Sequence, residues 1–269
     1  MSRNKKYAQK VDVDICVLTA GRIEMLMTCL DSIEKDIMEG GINARVYLFN
    51  NGSKDEIPHR IISQYDKIST NRGFPYGANA AIKMGKSALA IFVSDDITLL
   101  PGYISSLLNT MRSDEKIGLC GAKLLFPPKG TDPIRPAGKV QHIGHAMDIN
   151  ANIVHPLVGW SPDNPKCCIS REVFSVTGAT FIIRREVFEK VKGFDEIYGK
   201  GTYEDVDMAL KIRSLGYKIW VDTNAVAYHY VGATSEFKQE PFPIQQNRQI
   251  FLSRWMNTGL MAFDNWTFM

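Results

Sequence analysis

The feature of this sequence that most constrains its fold is an alternation of buried-strand patterns with amphipathic helix patterns. Residues 14–19 and 45–50 are short apolar runs, and residues 23–37 between them show the apolar spacing of a helix. Residues 87–93 (SALAIFV) are almost entirely apolar, which is typical of a central parallel strand buried on both faces. This repetition predicts an α/β fold with a mostly parallel sheet flanked by helices.

The rest of the sequence extends this alternation and becomes less regular after Gly118. In the first half we predict a short strand at 67–69 and helices at 56–65, at 76–84 and from Pro101 onward. In the second half we predict strands at 119–126, 139–147, 175–183, 218–221 and 225–230, and helices at 185–191, 203–215 and 244–256. We find neither a linker nor an internal repeat, so residues 1–269 are predicted to form one domain.

The composition of the chain indicates its cellular location more than its activity. A net charge of +3 over 269 residues gives no argument for a nucleic-acid binder. The five cysteines include no C-x-x-C pair, which favours reduced thiols and a cytoplasmic location. Residues 2–10 are polar and basic, so no signal peptide is expected. The apolar runs are too short to cross a bilayer, and we expect any work at a membrane to be peripheral.

Two adjacent carboxylates, Asp95 and Asp96, come just after the most apolar run, in IFVSDDITLLPG. Ligands of open α/β sheets bind beyond the carboxyl ends of the strands. A carboxylate at that edge can hold Mg²⁺ or Mn²⁺, and the metal can grip a diphosphate. A solvated loop, or an N-cap for the next helix, is the alternative interpretation.

A second acidic cluster, formed by Glu204, Asp205 and Asp207, is predicted to open the helix at 203–215. Acids in a first turn are stabilised by the helix dipole, and Thr202 and Asp205 have the spacing of a capping box. A plain helix start therefore explains much of this motif. The functional interpretation is that one of these acids is a general base that takes a proton from an attacking hydroxyl.

The histidines show weaker patterns. His229 lies near the end of the strand predicted at 225–230, and His59 falls in the helix predicted at 56–65. His142, His145 and His155 have no metal-ligand spacing that we would trust.

A glycine-bearing turn, NRGFPYGAN at 71–79, leads into the helix predicted at 76–84. Glycine allows a backbone to approach a phosphate or ribose closely. The spacing matches neither G-x-G-x-x-G nor a P-loop, so an ordinary loop is the alternative.

Taken together and in this order, the motifs resemble the inverting family 2 glycosyltransferases of GT-A fold, especially their rhamnosyltransferase-like branch. The resemblance covers about residues 13–255. It rests on VLTAGRIEMLMTCLDSI, FNNGSKDE, NRGFPYGAN, SDDITLLPG, VQHIGHAMD, TGATFIIRREVFEKVKGFDE, YEDVDMALKIRSLGYKIW and QNRQIFLSRW. Two positions depart from the family pattern: Asn50 stands where Asp is usual, and Ser94 stands where the first acid of a D-x-D is usual.

The resemblance implies a role for each motif. It implies that Asp205 is the catalytic base, with Glu204 in reserve, and that Asp96 and His229 hold Mn²⁺ or Mg²⁺. It implies donor contacts by Thr19, Ala20, Arg22, Asn50, Asn71, Gly73, Asn79 and Asp95. It also implies a nucleotide-sugar-binding half at about 11–118, an acceptor half with a smaller mixed sheet at about 119–257, and a tail at 258–269.

The expected function is metal-assisted transfer of a sugar, with inversion, from a UDP- or dTDP-linked donor to an acceptor hydroxyl. The sequence does not identify the acceptor, although a glycan, a lipid-linked glycan or a protein is favoured over a nucleic acid. It does not indicate the oligomeric state either. We expect acceptor specificity to reside in residues 127–174. A nucleotidyltransferase, or a nucleotide-sugar-binding protein without activity on the same scaffold, is the alternative.

Overall fold

A computed structural model of the protein describes residues 11–54, 57, 59–129, 134–148, 150–230 and 242–261. The strands are β1 (Val13–Thr19), β2 (Ala44–Asn51), β3 (Ile62–Ile68), β4 (Leu89–Ser94), β5 (Ile97–Leu99), β6 (Ile117–Leu125), β7 (Val140–His142), β8 (Ala146–Met147), β9 (Ile153–Val154), β10 (Arg171–Glu172), β11 (Thr180–Arg184) and β12 (Lys218–His229). The α-helices are α1 (Ile23–Gly40), α2 (Phe74–Met84), α3 (Tyr103–Ser113), α4 (Arg185–Lys190), α5 (Glu204–Ser214) and α6 (Ile244–Trp255).

One large sheet runs through the protein in the order β10-β12-β6-β11-β4-β1-β2-β3, with β5 beside β12 and β7 beside β6. β1 is parallel to both of its neighbours, β2 and β4, and β11 is an antiparallel strand between β4 and β6. The predicted α/β fold with a mostly parallel, helix-flanked sheet is confirmed. The second sheet is a two-stranded antiparallel pair, β8 and β9.

The apolar strands are buried on both faces. Ile15 and Val17 of β1 belong to the core that includes side chains of α1 and α3, whereas Cys16 belongs to the core that includes side chains of α2 and α5. Every residue of β1 is buried. This explains why the strand is a continuous apolar run rather than an alternating one.

The helix predicted at 56–65 is wrong over its second part, because residues from Ile62 onward form β3. This strand pairs with β2, where Leu48 lies opposite Tyr65. Pairing with the free edge of β2 supplies the backbone hydrogen bonds that a helix would have supplied, so tertiary context decides the structure here. His59 is not helical either, and its Nε2 lies 3.2 Å from Asp31 Oδ1. Residues 55, 56 and 58 lie outside the described residues.

Several strand boundaries in the second half also differ from the predictions. The strand predicted at 139–147 is divided into β7 and β8, and the strand predicted to begin at 175 begins at Thr180. The strands predicted at 218–221 and 225–230 are parts of β12, whose pairing with β6 is irregular between Asp222 and Val226. This irregularity accounts for the interrupted apolar pattern.

The helix that Pro101 was expected to open begins two residues later, after Gly102. Asp36 of α1 accepts the backbone N–H groups of Gly102 and Ile104 at 2.5 and 2.8 Å. The free donors at the start of α3 are therefore satisfied by a carboxylate from another helix, which also fixes α3 against α1.

Candidate active site

A cavity of ≈ 850 Å³ opens at the carboxyl ends of two parallel strands. β1 ends at Thr19 and β4 ends at Ser94, and Leu18 lies opposite Ser94 in the sheet. Ligands of open α/β sheets bind at this edge, and the volume suits a small molecule.

The cavity brings together all of the predicted site residues except Asn50 and Asn79. Those that line it are Thr19, Ala20, Arg22, Asn71, Gly73, Asp95, Asp96, Glu204, Asp205 and His229. The sequence patterns missed several others that also line it: Asn51, Thr70, Arg72, Phe74, Thr177 and Gly178. All six lie inside motifs that carry the family resemblance or next to them, which was the only signal that could have found them.

Arg22 lies between the two adjacent carboxylates. It donates one hydrogen bond to Asp95 Oδ1 and another to Asp96 Oδ2, the latter at 3.1 Å. Thr19 Oγ1 donates to Asp95 Oδ2 at 2.6 Å. Burial raises the pKa of Asp95 to about 6, although the charge of Arg22 opposes that shift. Because Asp95 is fully buried, its carboxylate depends on these two partners.

Asp96 and His229 each offer one atom, Oδ1 and Nε2, that could bind a divalent metal. Within the described residues Asp96 Oδ1 is buried and has no hydrogen-bond partner, and it lies 3.8 Å from His229 Nε2. Burial lowers the pKa of His229, so the ring is neutral and can offer a lone pair. A carboxylate oxygen beside an imidazole nitrogen is a donor set that Mn²⁺ accepts well.

Gln141 fixes the orientation of the His229 ring. Its Oε1 lies 3.1 Å from His229 Nδ1 and accepts the proton of that nitrogen. The lone pair of the neutral ring is then on Nε2, which faces Asp96. Outer contacts of this kind hold metal-binding histidines in the correct tautomer. Nothing in the spacing of the sequence indicated Gln141.

The predicted donor turn is built from backbone and asparagine side chains. Asn71 Oδ1 accepts the N–H of Gly73 at 2.8 Å, and Asn51 Nδ2 donates to the carbonyl of Gly73 at 2.9 Å. Gly73 has a φ of 90°, and a Cβ there would lie 2.0 Å from the carbonyl oxygen of Gly199. Only glycine fits this position, because both the conformation and the space exclude a side chain.

Asn50 and Asn79, which were predicted donor contacts, are used inside the protein. Asn79 both donates to and accepts from the backbone of Phe194, at 2.9 Å in each direction. Asn50 is fully buried and accepts the N–H of Ser53 at 2.9 Å. Each side chain fixes a loop near the cavity without lining it, which corrects the prediction for these two residues.

The start of α5 is held by its surroundings rather than by a cap of its own. The predicted capping box is wrong: Tyr203 is the N-cap residue, and no side chain in the described chain caps it. Thr202 and Tyr203 both have positive φ, at 80° and 67°. Asn247 of α6 donates to the carbonyl of Gly201 at 2.7 Å and so supports this strained loop. The three acids at this helix start therefore need an explanation other than capping.

Asp205 and Glu204 differ in their hydrogen bonds. Asp205 accepts the N–H of Gly178 at 3.0 Å and that of Val206 at 2.8 Å. Burial raises the pKa of Asp205, and these hydrogen bonds oppose the shift. Glu204 is buried, and its Oε2 has no hydrogen-bond partner among the described residues. Burial, and then the charge of Asp205, raise the pKa of Glu204 well above its ordinary value.

Three histidines that looked scattered in the sequence lie together beside this site. One ring nitrogen from each of His142, His145 and His155 lies within 4.8 Å of the others. The spacing of the three histidines along the chain does not indicate this cluster, because the fold of the segment from β7 to β9 brings them together.

The family model described as "Glycosyltransferase like family 2" matches residues 12–257. The chain therefore belongs to this family of glycosyltransferases. The match includes all of the predicted site residues and confirms the resemblance.

Two relatives show what this family includes. The chain is 27% identical over 237 residues to the O-antigen biosynthesis protein RfbC of Myxococcus xanthus, covering 82% of this chain but 17% of that protein. It is 25% identical over 217 residues to an N-acetylglucosaminyl-diphospho-decaprenol L-rhamnosyltransferase of Mycobacterium tuberculosis, covering 70% of this chain and 67% of that protein. The chain thus spans a small part of the first relative and two thirds of the second.

A solved structure shows the same fold. GalNAc-T7, solved with UDP, GalNAc and Mn²⁺, superposes with a TM-score of 0.72 at 14% identity, covering 93% of this chain and 49% of that one. The fold is accordingly the GT-A fold of glycosyltransferases. None of the helices in the described ranges combines the length and the apolar character needed to cross a membrane.

Proposed function

We propose that this domain transfers a sugar from a UDP- or dTDP-linked donor to an acceptor hydroxyl, with inversion at the anomeric carbon. The proposal rests on one observation: the same cavity is lined by residues that could bind a metal and by a separate carboxylate that could act as a base. Asp96 and His229 offer a metal-binding pair, and Asp205 offers a carboxylate that is separate from that pair. Membership of the glycosyltransferase family favours sugar transfer over nucleotidyl transfer.

The donor side is suited to a diphosphate. Mn²⁺ or Mg²⁺ held by Asp96 and His229 would neutralise the charge of the leaving diphosphate. The guanidinium of Arg22 places a fixed positive charge beside the same carboxylates. Asp95, held by Thr19 and Arg22, is a donor contact, and the turn at Asn71 and Gly73 borders the nucleotide.

The acceptor side needs one group that can take a proton. Asp205 is the better base, because two backbone N–H groups favour its ionised form, whereas burial and the charge of Asp205 raise the pKa of Glu204 well above its ordinary value. Two backbone N–H groups hold the Asp205 carboxylate in place, and it lines the cavity. Direct attack by the activated hydroxyl, without a covalent intermediate on the enzyme, inverts the anomeric centre.

The proposal is tested by donor hydrolysis with a panel of UDP-, dTDP- and GDP-sugars, in Mn²⁺ and in EDTA. We expect metal-dependent release of sugar from one donor class, and NMR of the first-formed product should show inversion. Retention would exclude the mechanism, and full activity in EDTA would exclude the metal. Tight donor binding without any turnover would instead indicate a nucleotide-sugar-binding protein.

A further inference from the structure

The histidine cluster beside the base is closely packed and has one open side. The ring centroids of His142, His145 and His155 lie 4.6 to 5.1 Å apart. His142 is fully buried and His145 is 4% exposed, whereas His155 is exposed. His155 is therefore the member of the cluster that a second molecule can reach.

The positions of the ring protons follow from one backbone donor. The N–H of Thr177 donates to His142 Nε2 at 3.1 Å, so this nitrogen carries no proton. The neutral His142 ring must then carry its proton on Nδ1, which lies 3.0 Å from His155 Nδ1. His155 Nδ1 accepts that proton in a hydrogen bond. The remaining nitrogen of His155, Nε2, consequently carries a proton and is a donor.

The same loop connects the cluster to the catalytic base. Ser175 Oγ lies 2.7 Å from His145 Nδ1. The backbone N–H of Thr177 donates a hydrogen bond to His142, and that of the next residue, Gly178, donates one to Asp205. His155 and Asp205 also interact electrostatically, since each shifts the pKa of the other. The cluster is therefore linked to the cavity through Thr177 and Gly178, which line it, whereas the three histidines themselves lie outside its lining.

We propose that His155 is an acceptor-binding residue whose Nε2–H, fixed by the chain from Thr177 through His142, donates to a neutral oxygen of the acceptor sugar. This inference rests on the function proposed above and names a contact on its acceptor side. A hydroxyl or ring oxygen of the acceptor sugar is the group that such a donor recognises. The His155 ring positions the acceptor, because its N–H group points in one fixed direction before the acceptor binds.

The electrostatics of the cluster fit a neutral ligand. Desolvation and the neighbouring imidazole of His145 lower the pKa of His155, so the ring is uncharged near neutral pH. An uncharged N–H suits a sugar oxygen better than a phosphate, which prefers cationic partners.

A metal ion is a less suitable occupant, although one nitrogen from each ring could converge on it. Binding a metal through His142 Nδ1 would require the proton to move to Nε2. The N–H of Thr177 already points at that nitrogen. Two protons would then face each other across 3.1 Å, which is unfavourable.

The first test examines the protein alone by long-range ¹H–¹⁵N NMR of the histidine rings. We expect the Nδ1–H tautomer at His142 and the Nε2–H tautomer at His155, with both rings neutral at pH 7. In His142→Phe, the His155 ring should lose its single tautomer. A wild-type His155 in the Nδ1–H form would overturn the proposal. Titration with Zn²⁺ is the companion measurement: tight binding that His145→Gln removes would show a metal site instead.

The second test separates acceptor binding from donor chemistry. Transfer to p-nitrophenyl glycosides of N-acetylglucosamine, glucose and rhamnose is compared with donor hydrolysis in the wild type, His155→Leu and His155→Gln. We expect His155→Leu to raise the acceptor KM about tenfold, the loss typical of one hydrogen bond, with donor hydrolysis within about twofold. His155→Gln keeps an N–H donor and should recover part of the loss.

The control is His59→Leu, which removes a histidine that pairs with Asp31 rather than with the histidine cluster. An unchanged acceptor KM in His155→Leu, or an equal loss of donor hydrolysis, would overturn the acceptor contact while the proposed function stands. Absence of both hydrolysis and transfer in the wild type would overturn the proposed function and this inference together.

Discussion

The two halves of the active site are built in different ways. On the donor side, Thr19 ends β1, and Asp95 and Asp96 directly follow β4. The two strands are parallel neighbours, so the sheet itself brings these residues together. On the acceptor side, Asp205 comes from a helix start and the histidine cluster from a loop region, and long-range hydrogen bonds through Thr177 and Gly178 connect them. A regular sheet thus positions reactive groups through its local sequence pattern, whereas an irregular region positions them through tertiary contacts.

The largest expected effect is on the donor side. Asp96→Ala should abolish transfer and sharply weaken donor binding in Mn²⁺, because the diphosphate loses its link to the protein through the metal. Calorimetry of nucleotide binding and an activity assay check this result, and EDTA should reproduce it. The matched control is Asp66→Ala, which removes an exposed carboxylate of β3. Normal metal-dependent activity in Asp96→Ala would show that Asp96 does not hold the metal, and the donor side would lose its assigned role.

On the acceptor side, Asp205→Asn should lower turnover by about 10² to 10⁴, the usual loss for a general base. Donor affinity should stay near normal, and the melting temperature should fall only modestly, because the amide keeps the size of the side chain but can accept only one of the two backbone N–H groups. Glu204→Gln should be milder, since the raised pKa of Glu204 favours its protonated form, which cannot act as a base. More than about a tenth of the wild-type rate in Asp205→Asn would contradict the assignment. If Glu204→Gln is the inactive variant, the base is Glu204.

Gln141 joins the two sides, because it comes from β7 and orients a donor-side ligand. Gln141→Leu should weaken Mn²⁺ binding by about 10- to 100-fold, which is the range for outer contacts of metal-binding histidines. Metal titration of the rate at saturating donor measures this effect. Gln141→Glu, which retains an acceptor for Nδ1–H, should lose less. Equal Mn²⁺ affinity in Gln141→Leu would show that the His229 tautomer needs no support.

The acceptor side should also be the more acid-sensitive part of the fold. Burial lowers the pKa of His145 to about 3, from 6.5 in an unfolded chain. The unfolded chain therefore binds the proton first, and this histidine stabilises the fold fully above pH 6.5. That stability is lost as the pH falls toward 3, by about 1.4 kcal/mol per pH unit. The free energy of unfolding, measured with denaturant between pH 7 and 4, should depend less steeply on pH in His145→Gln than in the wild type. An equally steep pH dependence in the two proteins would contradict the burial of a neutral ring.

The smallest expected effect distinguishes two asparagines of the donor motif. Asn79→Ala should destabilise the fold by about 1 to 3 kcal/mol, because it leaves the backbone groups of Phe194 without their partners. The donor KM should stay close to the wild-type value. Asn71→Ala should instead raise the donor KM, since Asn71 lines the cavity. A raised donor KM for a fully stable Asn79→Ala would restore Asn79 to the donor site.

Much of the donor side could be predicted from the sequence, because its information is local. An apolar run followed by Asp95 and Asp96 predicts a buried strand with carboxylates at its end, and the structure has both. The same local information failed at residues 62–65, the second part of the helix predicted at 56–65. There the pattern suggested a helix, but the open edge of β2 gave the chain more favourable backbone partners as a strand.

The amino-acid sequence was enough to predict the α/β class, the order of most elements, and ten of the residues that line the cavity. Only the tertiary structure decided that Asn50 and Asn79 face inward, that Gln141 orients His229, and that three scattered histidines form one cluster. The physical reason is that apolar periodicity records which face of an element is buried. The partner of a polar side chain depends instead on hydrogen-bonding groups that are distant in the chain, such as the N–H of Thr177, 35 residues from His142.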